Sequence, residues 1–191
     1  MVLFVLDLII MIYISLIALI LGFSLESHKL VKTKIAPDIT VSIPEELMPM
    51  TPEDIAQRHP SVRAPIAAFT DQDRIIDFSI KTSATQWPDV NLEISAQFFK
   101  SGIYNLYDRV DVIDEGIREI HKKRFIYYEF TSRINGDNSG MGLEQSVQKY
   151  TYVLYLVEKY RTLVITFSCP QQLQADWQET ARAMMSKVII R

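Results

Sequence analysis

From Val147 to Pro170 the chain reads VQKYTYVLYLVEKYRTLVITFSCP. Side chains on a β-strand point alternately to two sides. Tyr150, Tyr152, Leu154 and Leu156 fall on one side; Thr151, Val153, Tyr155 and Val157 fall on the other. A turn at Glu158, Lys159 and Tyr160 leads to Leu163, Ile165 and Phe167 on the return strand. The preceding strand, KRFIYYEFTSR, adds Phe125, Tyr127, Tyr128 and Phe130. Alternation sends only half of these aromatics to any one side. If helices cover the second side, its tyrosines are core residues with their hydroxyls at the edge. If that side is open, they form an interface rich in hot-spot residue types. Tyr127, Tyr128, Tyr150, Tyr152 and Tyr155 are the candidate partner-binding residues on this ground.

The remaining elements are predicted from period and punctuation. ITVSIP alternates as a half-buried strand closed by Pro44. In MTPEDIAQRHP, Thr51 is an N-cap, Pro52 fits the first helical position, and Pro60 stops a short helix over 52–58. APIAAFT and RIIDFSIKT form a hairpin around Asp71, Gln72 and Asp73. Asp89 is expected to cap a helix whose inner stripe is Leu92, Ala96, Phe99, Ile103 and Leu106. The stretch from Arg109 to Ile120 alternates near a turn, and INGDNSGMGLEQ reads as a loop. A last helix carries Leu173, Trp177, Ala181, Met184 and Val188 on one stripe. Four consecutive strands with helices before and after predict an α+β fold, an antiparallel β-sheet covered by helices.

At the other end of the chain, Val2 to Leu25 is apolar except for Asp7, Ser15, Gly22 and Ser24. A membrane-spanning helix needs roughly 20 such residues. No Lys or Arg precedes the run, and no small-residue cleavage pattern follows it, so it reads as an uncleaved single-pass anchor and not a signal peptide. The expected division is an anchor over 1–25, a polar linker over 26–38 and one soluble domain over 39–191. Asp7 is either a carboxylate at the membrane edge or a polar contact to a partner helix. His28, Lys29, Lys32 and Lys34 follow the run, which places the domain on the cytoplasmic side of an inner membrane. A periplasmic placement stays open.

The strand and helix of ITVSIPEELMPMTPEDI, the hairpin, the long helix, and four strands ending in LVITFSCPQQLQADWQETARAMMSKVI resemble the PsbP/Mog1-like (DcrB-like) domains. The resemblance covers most of 38–191 and implies an α/β/α sandwich. Members are mostly binding and assembly accessories: photosystem extrinsic subunits, a Ran-binding factor, envelope lipoproteins and chaperones for secreted effectors. The chain departs from the lipoproteins, because it has an apolar run where they have a lipidated cysteine.

No catalytic constellation emerges. His28, His59 and His121 have no metal-ligand spacing. Cys169, the single cysteine, lies in an apolar strand and reads as a small core residue. GDNSG at 136–140 lacks the scaffold of a serine-protease triad. Asn135, Asp137 and Ser139 alternate like calcium ligands, but Ser146 stands where the loop needs a glutamate. NGDNSGMG lacks the ending of a phosphate loop. Asp108, Asp111, Asp114 and Glu115 alternate with Arg109, Arg118, Lys122 and Lys123, the pattern of a solvated rim. A net charge of −3 does not suggest a nucleic-acid surface. The expected protein is therefore a non-enzymatic, cofactor-free, membrane-anchored accessory subunit of a bacterial envelope complex, a secretion machine among the candidates. Its partners are the bilayer and other envelope proteins. The alternatives are a small-ligand or lipid-binding domain, a hydrolase with a degenerate site, and a chaperone shielding apolar segments of a client.

Overall fold

A computed structural model describes residues 28–61, 63–85, 87, 91–135 and 146–191. The central feature is an antiparallel sheet of seven strands. In chain order these are β3 (Met48–Pro49), β4 (Ala67–Thr70), β5 (Asp77–Thr82), β6 (Arg109–Ile120), β7 (Lys123–Ile134), β8 (Val147–Glu158) and β9 (Arg161–Pro170), and their spatial order is β3-β4-β5-β9-β8-β7-β6. A second, three-stranded sheet consists of β1 (Leu30–Lys34), β2 (Ile39–Pro44) and β10 (Ile189–Ile190), with β2 in the middle. Three α-helices complete the described residues: α1 (Pro52–Arg58), α2 (Leu92–Leu106) and α3 (Gln174–Ser186).

The alternation of the long strands builds two cores. Phe125, Tyr127, Tyr150, Tyr152, Leu154, Leu163, Ile165 and Phe167 face the small sheet and α3, where Trp177, Ala181 and Met184 close over them. Ile126, Tyr128, Phe130, Val153 and Val157 face α2 and meet Leu92, Phe99 and Ile103. Helices thus cover both faces, as expected for an α+β fold with an antiparallel sheet. Each fully buried aromatic or aliphatic side chain contributes on the order of 2 kcal/mol of transfer free energy.

Several expectations change. The stretch read as a linker over 26–38 is not a tether throughout, because Leu30 to Lys34 pairs antiparallel with β2. His28, just ahead of it, stacks on Trp177 with ring centroids 3.9 Å apart and contacts Glu46. The cap of α2 is Asn91, whose side-chain oxygen accepts the Ile94 N–H at 3.0 Å. Asp89 lies outside the described residues, as do the apolar run with Asp7 and the 136–145 loop. Leu106 ends α2 exposed and is not part of its inner stripe. Arg109 to Ile120 is one continuous edge strand, with a bulge between Val112 and Asp114. Among the described residues no helix is long and apolar enough to cross a membrane.

The capping box on α1 forms as its sequence predicts: Asp54 N–H donates to Thr51 Oγ1 at 3.2 Å, and Thr51 N–H donates back to Asp54 Oδ2 at 3.2 Å. The two-residue loop between β6 and β7 is less comfortable. His121 and Lys122 both hold positive φ, 47° and 67°, where a side chain is disfavoured. Replacing the pair by Asn-Gly relieves left-handed strain that costs on the order of 1 kcal/mol per residue. The double variant H121N/K122G should unfold at a higher urea midpoint than the parent, a comparison made on the full chain in detergent.

Candidate interaction surface

Four of the candidate tyrosines, Tyr127, Tyr128, Tyr150 and Tyr152, are buried, and Tyr155 is half-buried. The structure does not gather them on an open face; alternation divides them between the two cores. Tyr150 donates to Glu129 Oε1 at 3.1 Å on the α3 side. Tyr127 donates to Asp114 Oδ2 at 3.1 Å, and its ring carries the Arg118 guanidinium 3.7 Å above its centre. That ring also lies across Gly116, where an added Cβ would meet it at 3.4 Å. The Tyr152 hydroxyl is buried and has no hydrogen-bond partner among the described residues. Burial raises the pKa of Tyr150, Tyr152 and Tyr155, so these phenols stay protonated at neutral pH.

Glu129 was not singled out by sequence. It is 1% exposed in the middle of an aromatic strand. Gln178 donates to its Oε1 at 2.6 Å and Arg182 to its Oε2 at 3.0 Å, so with Tyr150 three donors satisfy it. The signal was available, since a carboxylate among FIYYEF can be buried only with partners. This cluster ties α3 to the sheet. Truncating Glu129 to Ala strands the Tyr150 hydroxyl, while the half-exposed Arg182 can turn to water. The loss should therefore lie near 2–3 kcal/mol, below that of a fully buried pair, and equilibrium denaturation reads it directly.

On the opposite face, two of the tyrosines hold α2. Tyr128 donates to the Ala96 carbonyl at 2.6 Å, and burial pushes its hydroxyl up to about 12. Tyr155 stacks on Phe99 with centroids 4.0 Å apart and planes 8° from parallel. Leu92, Ser95, Phe99 and Ile103 are thereby turned inward. What remains outside is unusual. Ile94 is 58% exposed, Phe98 51% and Leu106 69%. Gln97, Ser101, Gly102, Tyr104 and Asn105 lie exposed among them. From Ile94 to Leu106 the one charged residue is Lys100, and it is bonded to Glu115 at 2.5 Å across a groove of about 430 Å³ between α2 and β6. Trp87 supports Phe98 edge-on, with ring centroids 5.4 Å apart. Solvent-facing helices ordinarily carry charge. An outer face with an aromatic and two aliphatic side chains, and with Lys100 as its one charge beyond the first turn, has the composition of an interface core. Gly102 adds a notch: a Cβ built there would meet nothing within 4 Å.

The other sequence candidates separate. Asp111 pairs with Arg109 at 2.8 Å, Asp114 with Arg118 at 3.5 Å and Glu115 with Lys100, while Asp108 accepts the Asn135 N–H at 2.6 Å. Each carboxylate has its own partner. His121 sits in the β6–β7 turn. Among the described residues no three His, Cys, Asp or Glu side chains group as metal ligands. Cys169 is buried, and burial pushes its thiol up to about 12. At pH 8 it stays a thiol, so iodoacetamide should label it only after denaturation; rapid labelling of the native chain, read by mass spectrometry, would contradict this placement.

No family model matches the sequence, and no curated protein matches it. Solved structures do resemble it. The solution structure of cyanobacterial PsbP (CyanoP) from Synechocystis sp. PCC 6803 superimposes with a TM-score of 0.58 at 9% identity, over 86% of this chain and 94% of that one. The Ran-binding protein Mog1p of Saccharomyces cerevisiae gives 0.55 at 11% identity, over 86% and 96%. A Pseudomonas aeruginosa protein of unknown function, PA94, gives 0.51 at 10% identity, over 86% and 97%. The chain has the PsbP/Mog1-like fold. Identities this low carry the fold and nothing finer.

Proposed function

We propose that this chain is a non-enzymatic, membrane-anchored interaction subunit of a bacterial envelope complex. Its anchor is the apolar run over 1–25, and its domain lies on the cytoplasmic side of the inner membrane. The observation that carries the proposal is the charge-poor outer face of α2, with exposed Phe98 at its middle and Gly102 beside it. The partner it suits is an apolar, uncharged helical segment of another envelope protein: large side chains seat around Phe98, and the missing Cβ at Gly102 admits close approach. The strand that follows the apolar run, β1, packs with the small sheet on one face of the seven-stranded sheet, and α2 packs on the other. The anchor and the docking face would then serve two different contacts. Asp7 belongs to the first of these, as a polar contact within the membrane or at its edge.

Photocrosslinking from position 98 in cells, followed by mass spectrometry, tests the docking face. One dominant crosslinked membrane protein is expected, and Phe98→Glu should cut its co-purification by about tenfold or more, the loss of an interface hot spot. An even spread of crosslinks, or a complex indifferent to Phe98→Glu, would refute the proposal. Gly102→Ala separates binding from folding. It should stabilise the domain by about 1 kcal/mol through helix propensity, and yet weaken the complex. Alkaline carbonate extraction tests the anchor independently: the chain should stay in the membrane pellet.

A further inference from the structure

The two ends of the seven-stranded sheet differ in character. At one end lie the tight β6–β7 and β8–β9 turns, which carry His121, Lys122, Glu158, Lys159 and Arg161, with Tyr160 exposed among them. Asp38, just before β2, bonds Arg161 there at 2.6 Å. At the other end β7 finishes at Ile134 and β8 begins at Val147, directly opposite it, and both side chains are exposed. Exposed Leu106 closes α2 at this same corner, since the Asp108 N–H donates to the Arg133 carbonyl at 3.0 Å. Beside Ile134, Arg133 stands opposite Arg109. Together with Gln148 and Asp111 they line a polar recess of about 200 Å³, in which Asp111 bonds Arg109 at 2.8 Å. Further round, the β4–β5 turn stays polar, with Asp71, Asp73 and Arg74 beside exposed Ile75.

The chain enters the domain from the end that holds this corner. β1 runs from Leu30 toward Asp38 and the charged turns, so its start points the other way. His28, ahead of β1, stacks on Trp177, which stacks on Phe167 with ring centroids 5.5 Å apart. Phe167 lies roughly 20 Å along β9 from Arg161. Its register partners are Tyr152 and, beyond that, Glu129, and Ile134 and Val147 lie roughly 16 Å further along the strands in the same direction. Between the apolar run and His28 stand Glu26 and Ser27 alone. That link spans at most about 11 Å. A domain held so closely must rest some surface on the bilayer, and the end from which the chain enters is the one that reaches it.

We propose that the corner formed by Leu106, Ile134 and Val147 rests on the phospholipid bilayer, with its apolar side chains at the boundary of headgroups and acyl chains and Arg109 and Arg133 among the phosphates. The inference rests on the anchor reading given above, and it deepens that reading by naming the surface that meets the lipid. Apolar side chains gain by leaving water at that boundary. Arginines lay their stems along apolar surface and keep their charge at the interface.

The test uses the full chain in nanodiscs of phosphatidylcholine and phosphatidylglycerol. Leu106→Cys, Ile134→Cys and Val147→Cys each carry the fluorophore NBD, and Tyr160→Cys carries it at the opposite end of β8, roughly 35 Å from Val147. Cys169 is buried and stays in place, with the parent chain as the labelling blank. Phosphatidylcholine spin-labelled near the top of its acyl chain is the quencher. The corner labels should emit at shorter wavelength than the label at 160 and be quenched several-fold more. I134E/V147E should abolish the quenching at position 106, and Val147→Glu alone serves where the double variant fails to fold. Alkaline carbonate extraction of the same variants from cell membranes separates the two readings. A retained chain whose corner labels are quenched no more than position 160, or whose quenching at 106 survives the glutamates, would overturn this inference and leave the anchor standing. A chain released by carbonate would overturn both.

Discussion

The two-sided alternation of β7, β8 and β9 is the constraint on which the rest of the structure depends. A strand that is apolar on both sides cannot lie on a solvated surface, so each face must be closed by another layer. Tyr150, Tyr152 and Phe167 require α3 and the small sheet. Tyr128, Phe130 and Val153 require α2. The Tyr150 and Tyr128 hydroxyls then fix how those layers sit, since each finds a partner as it leaves water. Tyr150 finds Glu129, which draws Gln178 and Arg182 and so orients α3. Tyr128 finds the Ala96 carbonyl, which fixes the depth of α2.

This arrangement moves the functional signal away from the residues that first suggest it. The aromatic strands have an interface-like composition, but they lie behind the proposed docking face on α2. Tyr128 and Tyr155 act on the proposed docking face by holding the helix that presents it. The same division explains the contrast along one side of the sheet. Where α2 covers the strands their inward residues are apolar, and where its cover ends they become Ser79, Thr151, Thr166 and Ser168. Hydroxyls there tolerate partial hydration. The edges of the sheet are managed as well. β3 has two residues and ends in Pro49, while β6 carries alternating charges, a bulge and Gly116, devices that discourage pairing with another strand.

Much of the fold is legible in local sequence because period two and capping chemistry are local. The strand Ile39–Pro44, the helix Pro52–Arg58 and the hairpin β8–β9 appear where their patterns put them. The departures have non-local causes. LVKTK has no apolar alternation of its own, and its strand exists because β2 offers a partner edge. The helix stripe counted Leu106 as inward because periodicity knows nothing of where the sheet ends. Asp89 and Asn91 are both good N-caps by type, and the choice of Asn91 depends on how Leu92 enters the core.

By itself, then, the sequence determined the element types, the antiparallel order of the long strands and the existence of two apolar sheet faces, since each is set by spacing along a few neighbouring residues. Only the tertiary structure decided which tyrosines are covered, that Glu129 is buried with three donors, and that Ile94, Phe98 and Leu106 stay exposed on α2 while Lys100 is paired with Glu115. Those outcomes depend on which distant elements meet, and burial and electrostatic potential are properties of that meeting and not of any segment alone.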